Sequence, residues 1–310
     1  MGFMVCHLVV VVCVLVAVGF FTLFERKVLA AAQLRKGPDK VGIGGVAQPV
    51  ADAVKLFLKE STRVEGSNEG CYWAAPGLSL LVAVVLWEFY PLDSAMVYFM
   101  SGVLLFLSVS SLNVYTLILA GWASNSKYAL LGAMRAVAQT VSYEVCMGLI
   151  LLVPLFLSSS LAMAEVSWVL RASWVILLCP SLFFVWMSCV FAETNRAPFD
   201  FAEGESELVS GFNVEYSAVG FSLIFMAEYA NILFMSVLTA CLFCGGSYPL
   251  GSGLVLILKS ALVGYVVVWA RATLPRFRYD LLMYLTWKGF LPSVLSMLIF
   301  SVVAVYLGGS

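Results

Sequence analysis

The feature that most constrains this chain is its opening stretch, Met1 to Phe24, which contains no formally charged side chain. As a helix it would rise roughly 36 Å, more than the ~30 Å hydrocarbon core of a bilayer. No small-residue cleavage site precedes Glu25, so the stretch reads as an uncleaved first span. Similar runs follow along the whole 310-residue chain, of which 62% is hydrophobic and 11% charged, against about a quarter charged in a soluble domain. A water-soluble globule is excluded. The runs predict an all-α polytopic membrane protein, a single membrane domain over 1–310. Its eight expected spans lie at about 3–24, 72–90, 98–121, 136–157, 172–192, 216–240, 253–271 and 289–308, the sixth and seventh separated by the Gly-rich turn 244–253.

Loop charge orients those spans. Every one of the 17 lysines and arginines except Arg171 and Lys259 falls in the loops after spans one, three, five and seven. By the positive-inside rule these loops face the cytoplasm or matrix, and an even number of spans puts both termini on the other side. Between the first two spans, about 48–60 forms an amphipathic helix too short to cross. Val50, Ala53, Val54, Phe57 and Leu58 share one face, while Asp52, Lys55 and Lys59 take others. From periodicity alone this helix is as readily a surface tie as part of a site.

Ligand counting removes most cofactor chemistry. His7 is the sole histidine, so a bis-histidine haem or an imidazole-rich zinc or copper centre cannot be built. Of eight cysteines only Cys241 and Cys244 have C-x-x-C spacing, and the thiols read as packing groups. No phosphate-binding glycine motif is present. The near balance of 17 basic against 18 acidic residues gives no sign of nucleic-acid binding.

Charges inside a bilayer cost about 2.5–3.5 kcal/mol each on insertion scales, so intramembrane carboxylates point to function. Glu144 and Glu228 sit deep in spans four and six. Low dielectric favours a neutral acid and makes protonation switchable by a nearby charge. A second constellation is the acidic loop from Glu193 through Asp200, Glu203, Glu205 and Glu207 to Glu215, with Arg196 as its only cation. Taken by itself it is a solvated acidic loop, a weak hard-metal site or a proton path. A third is Arg271 with Pro275-Arg-Phe-Arg-Tyr-Asp280, whose alternating arginines and rings suit either positive-inside anchoring or a planar or anionic ligand.

Read together, Glu25-Arg-Lys, Gln33-Leu-Arg-Lys-Gly-Pro-Asp-Lys-Val-Gly42, Asp52-Ala-Val-Lys-Leu, Ser126-Lys-Tyr, Arg135-Ala-Val-Ala-Gln-Thr-Val-Ser-Tyr-Glu144, Ala192-Glu-Thr-Asn-Arg-Ala-Pro-Phe-Asp200, the stretch 203–216 and Pro275-Arg-Phe-Arg-Tyr-Asp280 closely resemble the subunit 1 family of NADH:ubiquinone oxidoreductase, respiratory complex I. The resemblance implies eight spans plus an amphipathic helix, and ubiquinone as substrate. It places NADH, FMN and iron–sulfur clusters on partner subunits of the peripheral arm. Adjacent membrane subunits and phospholipids are the other expected partners. The positions it carries over to the ubiquinone cavity are Arg26, Gln33, Arg35, Asp52, Phe225, Arg271 and Arg276. Those it carries over to proton coupling are Glu25, Glu144, Glu193, Asp200, Glu203, Glu205, Glu207, Glu215 and Glu228. The implied location is the mitochondrial inner membrane with termini in the intermembrane space; a bacterial plasma membrane is the alternative. A hydrogenase-type or other quinone-reductase subunit with another electron donor, or an ion antiporter, would also require buried carboxylates.

Overall fold

The computed structural model describes residues 2–89, 99–171, 174–202, 204, 209–248, 251 and 253–308. Among them, regular structure is helical only. Among the described residues, seven helices are long and apolar enough to cross a membrane. The helices are α1 (Gly2–Ala32), α2 (Gln48–Leu58), α3 (Glu69–Leu86), α4 (Gly102–Ala123), α5 (Lys127–Ser158), α6 (Met163–Val169), α7 (Val175–Leu178), α8 (Pro180–Glu193), α9 (Ala218–Leu242), α10 (Gly253–Thr273), α11 (Tyr279–Tyr284) and α12 (Leu291–Gly308). A π-helical segment, Leu285–Phe290, joins α11 to α12, so that one continuous helix runs over Tyr279–Leu307.

The helices outrun the apolar stretches that predict them. α1 does not stop where charge begins but continues through Glu25, Arg26 and Lys27 to Ala32. α5 starts at Lys127 rather than near 136, capped by the Ser126 hydroxyl, which accepts from the Ala129 amide at 3.4 Å. Charge does not end a helix; capping and backbone hydrogen bonding do. The fifth expected span, 172–192, shows the opposite deviation. Its first two residues lie outside the described set, as do 90–98 at the edges of spans two and three. The rest is split at Cys179 (φ −135°, ψ 73°) into the short α7 and the 14-residue α8. Pro180 is the physical reason, because its ring pushes the preceding residue out of the helical region and it has no N–H to continue the ladder.

α5 and α9 are the innermost of the seven candidate spans, while α1 and the α11–α12 rod keep most of their apolar surface on the outside. Close packing at small residues ties the inner helices together. A Cβ on Gly121 of α4 would lie 2.3 Å from that of Ala133 on α5. One on Gly132 would meet the backbone of Gly211 at 2.9 Å, so the short turn Gly211–Asn213 rests on α5. α2 packs on α1 and α9, with Pro49 in van der Waals contact at Gly19 (3.5 Å for a built Cβ). Its Val50, Val54, Phe57 and Leu58 remain exposed, as an interfacial helix requires.

The long loop after α1 and the turn between α9 and α10 are thus separated by a membrane-spanning bundle. With the native thiols replaced, a cysteine at Lys40 and one at Tyr248, which is 45% exposed, are expected to react with an impermeant maleimide from opposite faces of sealed vesicles. Reaction of both from one face would overturn the orientation derived from the basic loops.

Candidate functional site

The site grows from Glu25, which α1 carries into the bundle where it is only 4% exposed. A buried carboxylate must be compensated, and three donors from three other parts of the chain converge on it. The Tyr229 hydroxyl of α9 donates at 2.5 Å, Arg196 from the loop after α8 donates at 3.2 Å, and Arg271 from the last turn of α10 forms a short charged contact. The Arg196 guanidinium also lies over the Tyr229 ring, 4.4 Å from its centre. Burial opposes the charge of Arg196, but Tyr229, Glu25 and Glu228 outweigh it and hold its pKa above the ordinary arginine value. One arginine is thereby in electrostatic reach of two carboxylates, Glu25 and Glu228.

Around this centre two further pairs close the inner mouth of the bundle. Arg26 donates to Asp52 of α2 at 2.7 Å, and Gln48 donates to the other Asp52 oxygen at 3.0 Å. Arg276 donates to Asp200 at 3.1 Å, while the Phe277 amide donates to the Pro198 carbonyl at 3.1 Å. Phe199 packs on Phe277 and Phe201 on Tyr279, with ring centres 5.6 and 6.0 Å apart. The alternation of arginines and rings in 276–279 is therefore used inside the chain. The rings face the acidic loop, Arg276 pairs with it, and the exposed Arg278 pairs with Asp280 at 3.0 Å. Gln139 of α5, fully buried, fastens the same loop by donating to the carbonyls of Ala192 (2.9 Å) and Phe199 (2.8 Å).

Deeper in, Glu193 and Glu228 share the wall of a small, partly open cavity of about 20 Å³ with Asn113, Thr194, Asn195 and Asn231. That volume suffices for about one water. The side-chain oxygens of Asn195 and Asn231 are buried and have no hydrogen-bond partner among the described residues. Glu144, half-buried on α5, is in electrostatic reach of Glu193. The order of charges across the fold is therefore Arg271, Glu25, Arg196, Glu228, the cavity, Glu193 and Glu144.

Not every residue singled out from the sequence joins this array. Gln33 and Arg35 are exposed on the loop after α1, and Phe225 of α9 packs against Phe221, with ring centres 4.2 Å apart. Glu215 enters through its backbone, accepting from the Tyr72 hydroxyl at 2.7 Å, and the Tyr72 ring stacks on Tyr216. Glu203, Glu205 and Glu207 lie outside the described residues. Arg196 reads in the sequence only as a counter-charge, yet it hydrogen-bonds Glu25 and lies in electrostatic reach of Glu228. Asn113 carries the one signal a single sequence offers, an amide within an apolar span.

The match to the NADH dehydrogenase family model covers residues 5–302. The chain belongs to the NADH dehydrogenase family. Among similar proteins, the NADH-ubiquinone oxidoreductase chain 1 of Heterololigo bleekeri is 54% identical over 299 residues, covering 96% of this chain and 95% of that one. Its counterpart in Anopheles gambiae is 52% identical over 295 residues, with 95% and 93% covered, and that in Carassius auratus 50% over 290, with 92% and 90% covered. This NADH dehydrogenase family member is thus a polytopic membrane chain whose regular structure, among the described residues, is all helical.

The two kinds of ion pair should differ sharply in energetic weight. Glu25→Ala leaves Arg196 buried without its carboxylate and is expected to destabilise by about 3–5 kcal/mol. Asp52→Ala, which breaks a half-exposed pair, is expected to cost under about 1 kcal/mol. Thermal dissociation of the assembled membrane complex measures both; equal losses would show that the Glu25 cluster is not the anchor described.

Proposed function

We propose that the chain is a core membrane subunit of a proton-translocating NADH:ubiquinone oxidoreductase. In this reading its inner mouth forms part of the ubiquinone access cavity, and its internal carboxylates couple quinone reduction to proton movement. The observation that carries the proposal is the set of charges that runs from Arg276–Asp200 and Arg271–Glu25–Arg196 at the mouth to Glu228 and, across the cavity, to Glu193 and Glu144. NADH, FMN and the iron–sulfur clusters belong, on this reading, to partner subunits of a peripheral arm. That arm docks on the basic face and supplies two electrons to ubiquinone. Adjacent membrane subunits and phospholipids cover the exposed apolar surfaces. The location is the mitochondrial inner membrane, with both termini in the intermembrane space.

Reducing ubiquinone to ubiquinol takes up two protons, and their withdrawal from the mouth changes the charge felt at Glu25 and Asp200. Arg196 cannot release its own proton, so it transmits that change as an altered balance of attraction between Glu25 and Glu228. When water at the basic face resupplies the mouth and Glu25 takes up one of those protons, the arginine's field falls more fully on Glu228 and favours its ionised form. The released proton has the cavity beside it, where a single water held by the amides of Asn113, Asn195 and Asn231 would bridge toward Glu193. One pKa unit is about 1.4 kcal/mol and one charge moved across 100 mV is about 2.3 kcal/mol, so shifts of a few units suffice.

Two sets of variants test the proposal in the assembled complex. Arg276→Ala and Asp52→Ala should lower ubiquinone reduction by roughly tenfold or more, as expected for loss of one charge-assisted contact of about 1.4 kcal/mol. NADH oxidation by an artificial acceptor on the arm should continue; loss of both activities together would point to failed assembly instead. Glu228→Gln, Glu193→Gln and Asn231→Leu should retain assembly and lose proton translocation per NADH oxidised in sealed vesicles. Wild-type rate and stoichiometry in all three would remove the proton-route part of the proposal.

A further inference from the structure

The face opposite the basic loops holds a cleft that the proposed function does not use. α5 ends at Ser158, Ser159 turns the chain with a left-handed φ of 51°, and α6 returns alongside. Between them lies an open cavity of about 530 Å³ lined by Ser158, Ser160, Glu165, Trp168 and Arg171. That volume is in the range of small-molecule sites and far above that of one water.

Charge distribution marks the cleft as unusual. Arg171 and Lys259 are the two basic residues outside the basic loops. Lys259 is explained by the fold: it donates to the carbonyls of Cys244, Gly246 and Tyr248 at 2.6–3.0 Å and lies 4.7 Å over the Trp174 ring, closing the turn after α9. Arg171 instead lines the cleft together with Glu165, each also engaged within the protein. The Ser160 hydroxyl is buried and has no hydrogen-bond partner among the described residues. The mouth is flanked by the exposed Leu161, Val169 and Trp168, the last 66% exposed, as in the aromatic belts found at lipid head-group depth.

We propose that this cleft binds the head group of an amine-bearing zwitterionic phospholipid of the ethanolamine type. Arg171 and the hydroxyl of Ser160 donate to the phosphate, Glu165 accepts from the ammonium, and the acyl chains run over Leu161, Trp168 and Val169. A cation and an anion in one wall match a head group that carries both signs. A net-anionic glycerol head group or a free phosphate carries no ammonium to offer Glu165 and adds only negative charge beside it. The proposal is independent of the electron-transfer role, since none of these residues belongs to the internal charge line.

The test uses the purified, delipidated complex supplied with vesicles containing a phospholipid whose acyl chain bears a photoactivatable diazirine. Ethanolamine and glycerol head groups are compared in separate arms. Peptide mass spectrometry should place the ethanolamine adduct within 161–169, exceeding the glycerol adduct about tenfold. Ser160→Trp, which fills the cleft, should abolish the adduct, and Glu165→Gln should keep labelling but remove the preference. NADH oxidation by the artificial acceptor is expected to remain at wild-type level in both variants and serves as the assembly control. Equal labelling by the two head groups, labelling indifferent to Ser160→Trp, or cross-links to a neighbouring subunit's peptide in the cleft would each overturn the proposal.

Discussion

The interaction on which the rest depends is the compensation of one buried carboxylate. Glu25 is brought inside because α1 continues past its apolar stretch, and an unpaired charge there would cost several kcal/mol. The compensating groups come from α9, from the loop after α8 and from the end of α10. Satisfying Glu25 therefore fixes how four parts of the chain meet. The inner mouth takes its shape from that meeting, since Arg271 and Arg196 can reach one carboxylate oxygen only if their helices end at the same depth.

A second constraint is close packing, which lets the polar loops reach inward. Gly121 against Ala133 and Gly132 against the Gly211 turn leave no room for a side chain, so α4, α5 and the segment before α9 are pressed together. In a lipid environment, where apolar burial gives little drive for helix association, such contacts and buried hydrogen bonds supply it. Gln139 combines both: it sits at a tightly packed point of α5 and spends its amide on two carbonyls of the acidic loop. Held this way, Asp200 meets Arg276 while Glu193 and Thr194 face the cavity shared with Glu228. The same bundle thus presents a charged mouth and a small polar interior.

Much of this was legible one residue at a time. Glu144 and Glu228 announce themselves as carboxylates within apolar runs, Arg271 as a cation in a helix's last turn before Pro275, and α2 as an amphipathic helix by its periodicity. Glu193 reads as the end of its helix because Pro198 follows, and α8 does end there. Other features were not legible. Counting apolar residues stops at the first charge, so it placed Glu25 outside the helix that carries it. The alternating arginines and rings of 276–279 admitted an external ligand, whereas their rings are packed on Phe199 and Phe201. The break before α8 had its signal in Pro180, but an uninterrupted apolar composition masks a broken backbone.

The sequence by itself determined the class of molecule, the side on which its charge lies and the residue types available for chemistry. Those follow from solvent preference, a property each segment carries independently of the others. Only the tertiary structure decided which charges meet. Glu25 and Arg271 are 246 positions apart, Glu25 and Tyr229 are 204 apart, and Gln139 reaches 60 residues to Phe199. Pairings of that kind depend on helix ends arriving at a common depth and on small residues letting helices approach. Neither is a property of any single segment, because the energy of a buried ion pair depends on both partners and on the water they jointly exclude.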